Sequence, residues 1–438
     1  MTIFLPYYVA AFALLFCEYR GSTLAGIRLP VPRWAAGVWV GGIAALYALQ
    51  LGLIWVATQT IVHPEPWRAT LPIPVAAHGI AHPDLVEGAL LALAAAQTYA
   101  LIALYRLGVP QKLVVAGFGA LLALSLAAPA FVSPDPYAYA GDSILGRAAW
   151  DPPAGELPGE YAVVNRLFST PLLPAPYGPL WISIAHAMLS PIPAFVGKLL
   201  ALRVFGAVCS IALVVMLRAC GLPDRIVAVA ALNPALAQQY VADAHNDLLG
   251  IVLLVAAAVA VRVRRPFGAA MLVALAGLVK LPLVIFGLPV FATAGSRAAR
   301  YACAALGIGL AAAISWFAAG SPYLRGLAVH VPAPGPVYVL NLAIALLGAL
   351  LIAVAWLDGR RMRAGVWILP MMSSYVATWY MAYGLPYALA RHRIVAYLLI
   401  ALPLACALVD AKFMRPWTYA VVLPLVALFA IVRSERDA

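Results

Sequence analysis

The sequence predicts an all-α, polytopic integral membrane protein, and three observations carry that prediction. The 438 residues are 65% hydrophobic and 10% charged, with a mean hydropathy of +0.97, so polar surface is too scarce to clothe a soluble globule of this length. Apolar runs of about 17 to 25 residues, the length a helix needs to cross hydrocarbon, recur along almost the whole chain. Alternating ten-residue strand patterns are absent, which leaves helices as the spanning form.

Charge and cysteine usage exclude other classes. The net charge of +12 sits in short arginine clusters between apolar runs, such as Arg262, Arg264 and Arg265, or Arg297 and Arg300. This is a positive-inside pattern and not a nucleic-acid face. The five cysteines, Cys17, Cys209, Cys220, Cys303 and Cys406, lack metal-ligand spacing and read as small hydrophobes.

The elements run in this order. Ile3 to Cys17 leads into Glu18, Tyr19 and Arg20 without a small-residue cleavage site, and reads as a retained span near 3–18. Spans near 34–61, 85–104 and 113–131 come after it, with basic loops 19–33 and 105–112 inside, so the segment 132–176 falls outside. Tyr177 to Leu189 is apolar but too short to span. With prolines 174, 176 and 179 at its start, it reads as a juxtamembrane helix along the outer interface. A span at 198–217 descends, 226–242 rises, and the turn from Ala242 to Asp247 returns to the outer face before 248–261 descends. Lys280 and Pro282 break the next apolar stretch into two short helices that meet near the outer side, because both flanking arginine clusters are inside. Spans near 301–319 and 338–357 come next, with Ser321 to Val337 outside and "DGRRMR" inside. The stretch from Ile368 to Arg393 reads as one span or as two short spans meeting near Trp379, and two put Arg391 and Arg393 inside.

The count comes to about 13 to 15 membrane segments in a single transmembrane unit, 1–438. Within it, 132–190 is the long outer loop with its juxtamembrane helix, 198–295 the core helices, and 301–438 the C-terminal helices. Such a chain belongs in the cytoplasmic (inner) membrane of the cell, with the lipid bilayer as its first partner.

Carboxylates near a membrane are costly and usually serve a purpose. Of the 16 acids, Asp135, Asp142, Asp151, Glu156 and Glu160 share the loop 132–176, and Asp243 and Asp247 flank the turn "DAHND". None sits at the centre of a predicted span, whereas an ion-driven transporter needs a mid-depth acid or unwound polar stretch. Any chemistry is therefore expected at the outer interface. No phosphate-cradling glycine loop and no Asp-x-Asp pair for a metal-bound sugar nucleotide occurs, which points to lipid-linked donors. "HGIAHPD", His78 to Asp84, spaces two histidines at i and i+4, but Pro83 breaks the helix a metal pair would need, and it reads as loop.

Single side chains carry alternatives at this level. Asp135 is a candidate general base or a cap of the loop before Pro136, and Asp142 is a second candidate base or a loop acid. Tyr137 and Tyr139 alternate with Ala138, so an extended backbone would put both rings on one side, for sugar stacking or interface anchoring. Asn246 and Asp247 open a helix, where a cap and an anion site coincide. His245 beside them either helps bind a leaving phosphate or is solvated at the interface. Lys280, a lysine in an apolar run at a helix break, and Arg203, in the descending helix, either hold that phosphate or reach lipid headgroups. Arg147 and Arg166, in the outer loop, either hold sugar or phosphate or are solvated loop residues.

"DPYAYAGDSILG", "PAPYGPLW", "LRVFGA", "LNPALAQQYVADAHNDLLG" and "LAGLVKLPLVIFGLPVF" occur in that order. Together they resemble the polyprenyl-phosphomannose-dependent α-1,6-mannosyltransferases, members of the GT-C fold class of membrane glycosyltransferases, over roughly residues 113–295. The resemblance implies a GT-C fold and a polyprenyl-phosphate-linked sugar donor; with one carboxylate as base and phosphate leaving without an acid, the simplest displacement is a single inversion, onto a glycan or lipid acceptor. It places Asp135 where that class assigns the first-loop base, although Pro136 departs from the usual Asp-Val-Tyr-Ser-Tyr. Tyr137, Tyr139, Asp142, Tyr177, Arg203, His245, Asn246, Asp247 and Lys280 are then the expected substrate-binding residues. No metal or cofactor is demanded. Mannose rests on the resemblance alone, so a GT-C transferase of another sugar remains open, as does a transporter or flippase of a lipid-linked sugar.

Overall fold

The computed structural model describes residues 35–59, 83–128, 135–329, 354, 357, 378–389 and 392–410. Among these residues there are helices and turns but no strand, in line with the predicted all-α class. The predicted first span near 3–18, nearly all of 338–357 and the "DGRRMR" loop lie outside them.

The first three helices are α1 (Ala36–Gln59), α2 (Pro83–Leu107) and α3 (Gln111–Ala127), close to the predicted spans. The last two residues of "HGIAHPD" open α2 and the rest lies outside the described residues. A helix α4 (Asp135–Leu145) then replaces the extended backbone expected for the tyrosine pair. Pro136 causes the difference, because its fixed φ and missing N–H suit the first helical position. Short turns lead to α5 (Ala162–Leu167) and α6 (Pro179–Leu189), the latter being the short apolar helix read from the sequence.

The 25-residue α7 (Phe195–Ala219) is followed by α8 (Asp224–Ala231), α9 (Pro234–Ala237) and one π-helical turn, Gln238–Ala242. The expected single rising span 226–242 is thus broken, because Pro234 interrupts the backbone ladder. The π turn closes through Asp243 N to Gln238 O at 2.9 Å. The chain then bends by 120° into α10 (Asp247–Arg262), so the predicted turn at 242–247 is present. Helix α11 (Pro266–Val279) stops where Lys280 is extended, and α12 (Leu283–Gly287) resumes after Pro282, as expected.

Helix α13 (Arg297–Val329) carries past the predicted end at 319. It kinks at Gly320 (φ 59°) and stays helical through part of the expected loop Ser321–Val337, since a proline two residues after the kink is tolerated in a new first turn. A 3₁₀ segment, Thr378–Gly384, leads to α14 (Leu385–Ala388) and α15 (His392–Asp410).

Among the described residues, four helices are long and apolar enough to cross a membrane, and the pair formed by 234–242 and 247–262, bent by 120°, is apolar enough to be a broken span or a re-entrant loop. Five shorter apolar helices accompany them. The expected count of about 13 to 15 segments also includes stretches outside the described residues.

Two glycines set how closely the helices pack at the π turn and at the Lys280 break. A Cβ at Gly178 would lie 2.2 Å from Leu278 O, and one at Gly206 would lie 2.1 Å from Tyr240 O. Gly178 thereby docks the start of α6 on the end of α11, fixed by its N–H to Val279 O at 2.9 Å. Gly206 lets α7 lie directly on the π turn.

Candidate active site

The site grows from the N-terminal turn of α4, the "DAHND" turn and the break at Lys280. Helical spacing puts Asp135, Tyr139 and Asp142 on one face of α4, while Tyr137 turns away. Tyr137 is buried with its ring 5.8 Å from Phe195, so it is a packing residue. Tyr139 is buried between Tyr177 and Trp181, with ring centroids 5.0 and 4.9 Å away in edge-to-face contact. Its hydroxyl donates to Asn246 Oδ1 at 3.1 Å and lies 3.5 Å from Asp135 Oδ2.

His245 is the unexpected neighbour of Asp135. Its Nδ1 lies 3.4 Å from Asp135 Oδ2, with the imidazole fully buried and the Asp135 side chain 15% exposed. Of the two readings offered for His245, a solvated place at the interface is thus excluded. Ala244 before it has φ 49°, a left-handed conformation that costs a non-glycine residue about 1–3 kcal/mol. That turn swings His245 toward α4. Asp142 sits two helical turns along from Asp135. Burial first, and the Asp135 charge second, push its carboxyl up to about 8, and its Oδ2 has no hydrogen-bond partner among the described residues.

A cationic pole lies opposite. Lys280 Nζ is 3.1 Å from Asp247 Oδ1, with side-chain exposures of 11% and 0%. The ammonium lies 4.8 Å from the Tyr380 ring and 5.9 Å from the Tyr177 ring, an aromatic cage suited to a cation. The Tyr383 hydroxyl donates to the same Asp247 oxygen. Asp135 and Lys280 are within electrostatic reach of each other.

Three expectations change here. Asn246 occupies the cap position of α10 but its side chain makes no capping bond, being engaged by Tyr139 instead. Asp247 carries its own charge into the N-terminal turn of α10 and pairs with Lys280, which leaves no bare anion site there. Arg203 does not join Lys280: its guanidinium donates to Ala242 O at 3.1 Å and to Leu126 O at 3.4 Å, beside Asp243. It braces the turn from the α7 side. Arg147 and Arg166 are exposed, in keeping with the solvated reading. Tyr380 and Tyr383 were not singled out from the sequence. The tyrosine-rich stretch "WYMAYG" reads as part of a span, and only the fold brings it onto Lys280 and Asp247.

A protein-family model, the alpha-(1->6)-mannopyranosyltransferase N-terminal domain, matches residues 38–296. That is well over half of the 438 residues. The chain belongs to this mannosyltransferase family. The matched region holds every site residue expected from the sequence, from Asp135 to Lys280, whereas Tyr380 and Tyr383 lie beyond it. No curated protein and no solved structure matches the chain. The enzyme is therefore a glycosyltransferase that handles mannose, built from apolar helices as a multi-pass membrane protein. A pure transporter or flippase is set aside.

Proposed function

We propose that this mannosyltransferase takes mannose from a polyprenyl-phosphate-linked donor and places it, with inversion, on a hydroxyl of a glycan or lipid acceptor at the outer face of the cytoplasmic membrane. The observation that carries the reading is the partly exposed Asp135 carboxylate, 3.4 Å from His245 Nδ1 and 3.5 Å from the Tyr139 hydroxyl, within electrostatic reach of the caged Lys280. The positive-inside pattern supports the outer face, and the lack of a nucleotide-binding signature supports a lipid-linked donor.

In the proposed step the acceptor oxygen attacks the anomeric carbon as its proton passes to Asp135, and the bond from that carbon to the phosphate oxygen breaks. The phosphate leaves with the bonding electrons and one added negative charge. Lys280 stabilises that charge, and its position is fixed beforehand by Asp247, Tyr380 and Tyr383. His245 holds one Asp135 oxygen so that the other faces the acceptor, and Tyr139 keeps the "DAHND" turn in register through Asn246. Asp142, protonated near neutrality, adds no second negative charge beside the base and can donate to a sugar hydroxyl. A β-linked phosphomannose then gives an α-mannoside.

Purified protein in nanodiscs, given a short-chain polyprenyl phosphomannose or a nucleotide-activated mannose with a simple mannoside, tests this. Transfer from the lipid donor alone is expected. Transfer from the nucleotide donor alone would overturn the proposal.

A further inference from the structure

Arg203 is a charged residue among apolar neighbours on α7, and its guanidinium donates to backbone carbonyls of two other elements. Nε reaches Ala242 O at 3.1 Å and Nη1 reaches Leu126 O at 3.4 Å. Leu126 stands in the last turn of α3, upstream of Asp135, and Ala242 ends the π turn, upstream of His245. One guanidinium thus joins the two stretches of chain that lead to the base and to its histidine. Its planar fork of donors suits two acceptors held at a fixed spacing. Gly206, one turn along α7, brings the helix close enough to the π turn for this reach.

The turn itself needs holding. Ala244 has φ 49°, and a non-glycine residue stays in that region only where its surroundings over-determine it. On the far side of Ala244, Asn246 accepts from Tyr139 at 3.1 Å and Asp247 pairs with Lys280 at 3.1 Å. On the near side, Gln238 Nε2 donates to Asp243 Oδ2 at 2.8 Å and His245 N donates to Gln239 O at 3.4 Å, bonds that stay within 238–245. Arg203 reaches that side from another helix. Asp243 is fully buried and within electrostatic reach of the Arg203 charge, so attraction adds to the bond on Ala242 O.

We infer that Arg203 is a positioning residue for the transfer, which holds the turn 242–245 so that His245 meets Asp135, and which touches neither donor nor acceptor. The inference rests on the reading of Asp135 as base given above. Without Arg203, Ala244 relaxes toward an ordinary backbone conformation. The imidazole, whose Nδ1 lies 3.4 Å from Asp135 Oδ2, moves with it.

The test compares Arg203→Met, Arg203→Lys and His245→Ala in nanodiscs with a polyprenyl phosphomannose donor. Arg203→Met should lower kcat by roughly 10- to 100-fold, the effect of a small misplacement relayed from outside the reacting groups, while donor KM stays near wild type. Arg203→Lys, which keeps the charge and a donor for Ala242 O, should recover part of that loss. Added to His245→Ala, Arg203→Met should lower kcat no further, because both act through the same imidazole. Losses that multiply would give Arg203 a role apart from His245 and overturn the inference. A raised donor KM with kcat kept would make Arg203 a donor contact and overturn it equally. A second readout needs no transfer: labelling of His245 by diethyl pyrocarbonate, read by mass spectrometry of its peptide, with the exposed His186 as reference. His245 is 2% exposed and should react slowly in wild type and several times faster in Arg203→Met. Equal rates would mean that the turn holds without Arg203, and would overturn the inference whatever the stability of the variant. If wild type transferred nothing from the lipid donor, the donor reading would fail by itself, and the labelling would still decide whether Arg203 holds His245 in place.

Discussion

Replacing Lys280 by methionine separates the structural from the chemical role of the cationic pole. The Asp247 side chain is fully buried and Lys280 is 11% exposed, so the variant leaves a buried carboxylate without its counter-charge. Breaking one half of a buried pair costs about 3–5 kcal/mol. The Tyr383 hydroxyl still reaches Asp247, which places the expected loss near the low end, about 3 kcal/mol. Exchanging both partners, as in Lys280→Met with Asp247→Asn, removes charge and counter-charge together and should restore most of that stability. Transfer should not return, because no fixed cation then meets the leaving phosphate. Both variants are expected to lose on the order of 10²-fold in kcat. Thermal unfolding in nanodiscs reads the first quantity and single-turnover transfer reads the second. A double variant that regains near wild-type transfer would refute the reasoning and reduce Lys280 to a structural ion.

Other perturbations draw on the same geometry. His245→Ala should lower kcat with little change in donor KM, and His245→Asn, whose amide N–H can take the place of Nδ1–H, should recover a good part of it. Equal loss in both would remove His245 as a positioning residue. The Asp142 carboxyl is raised to about 8 in the folded chain from 3.8. The folded state therefore holds a proton the unfolded state has lost between those values, and stability falls as pH rises through that window. Relative to wild type, Asp142→Asn should gain in unfolding temperature steadily from about pH 4 to pH 8 and level off above. A pH-independent difference would contradict this. Gly178→Ala sets a methyl against the Leu278 carbonyl, costing about 1–3 kcal/mol. It should also pull Tyr177 off Lys280, seen as a raised donor KM; an unchanged KM would detach Gly178 from the site.

The helices near 34–61, 85–104 and 198–217, the turn at 242–247 and the break at Lys280 were legible in the sequence because hydropathy, arginine placement and proline each have a local physical consequence. What was not legible depended on reading one segment in the wrong period. As a strand, Asp135 to Asp142 pairs Tyr137 with Tyr139. As a helix, it pairs Asp135 with Tyr139 and Asp142, and Pro136 at the first helical position was the available signal. The partners of the "DAHND" turn were also hidden. Asn246 and Asp247 are good caps by residue type, yet contacts with Tyr139 and Lys280 from distant segments override that local preference. Tyr380 and Tyr383 carried no signal beyond a tyrosine-rich stretch, since their role depends on contacts with segments far away along the chain.

The central claim is that Asp135 is the base that accepts the acceptor's proton. Asp135→Asn keeps the size of the side chain and a polar contact to His245 while removing the charge. Transfer from a polyprenyl phosphomannose, measured beside binding of the same donor, should fall by at least about 10²-fold with donor affinity kept within a few-fold. Transfer close to wild type in this variant would contradict the account.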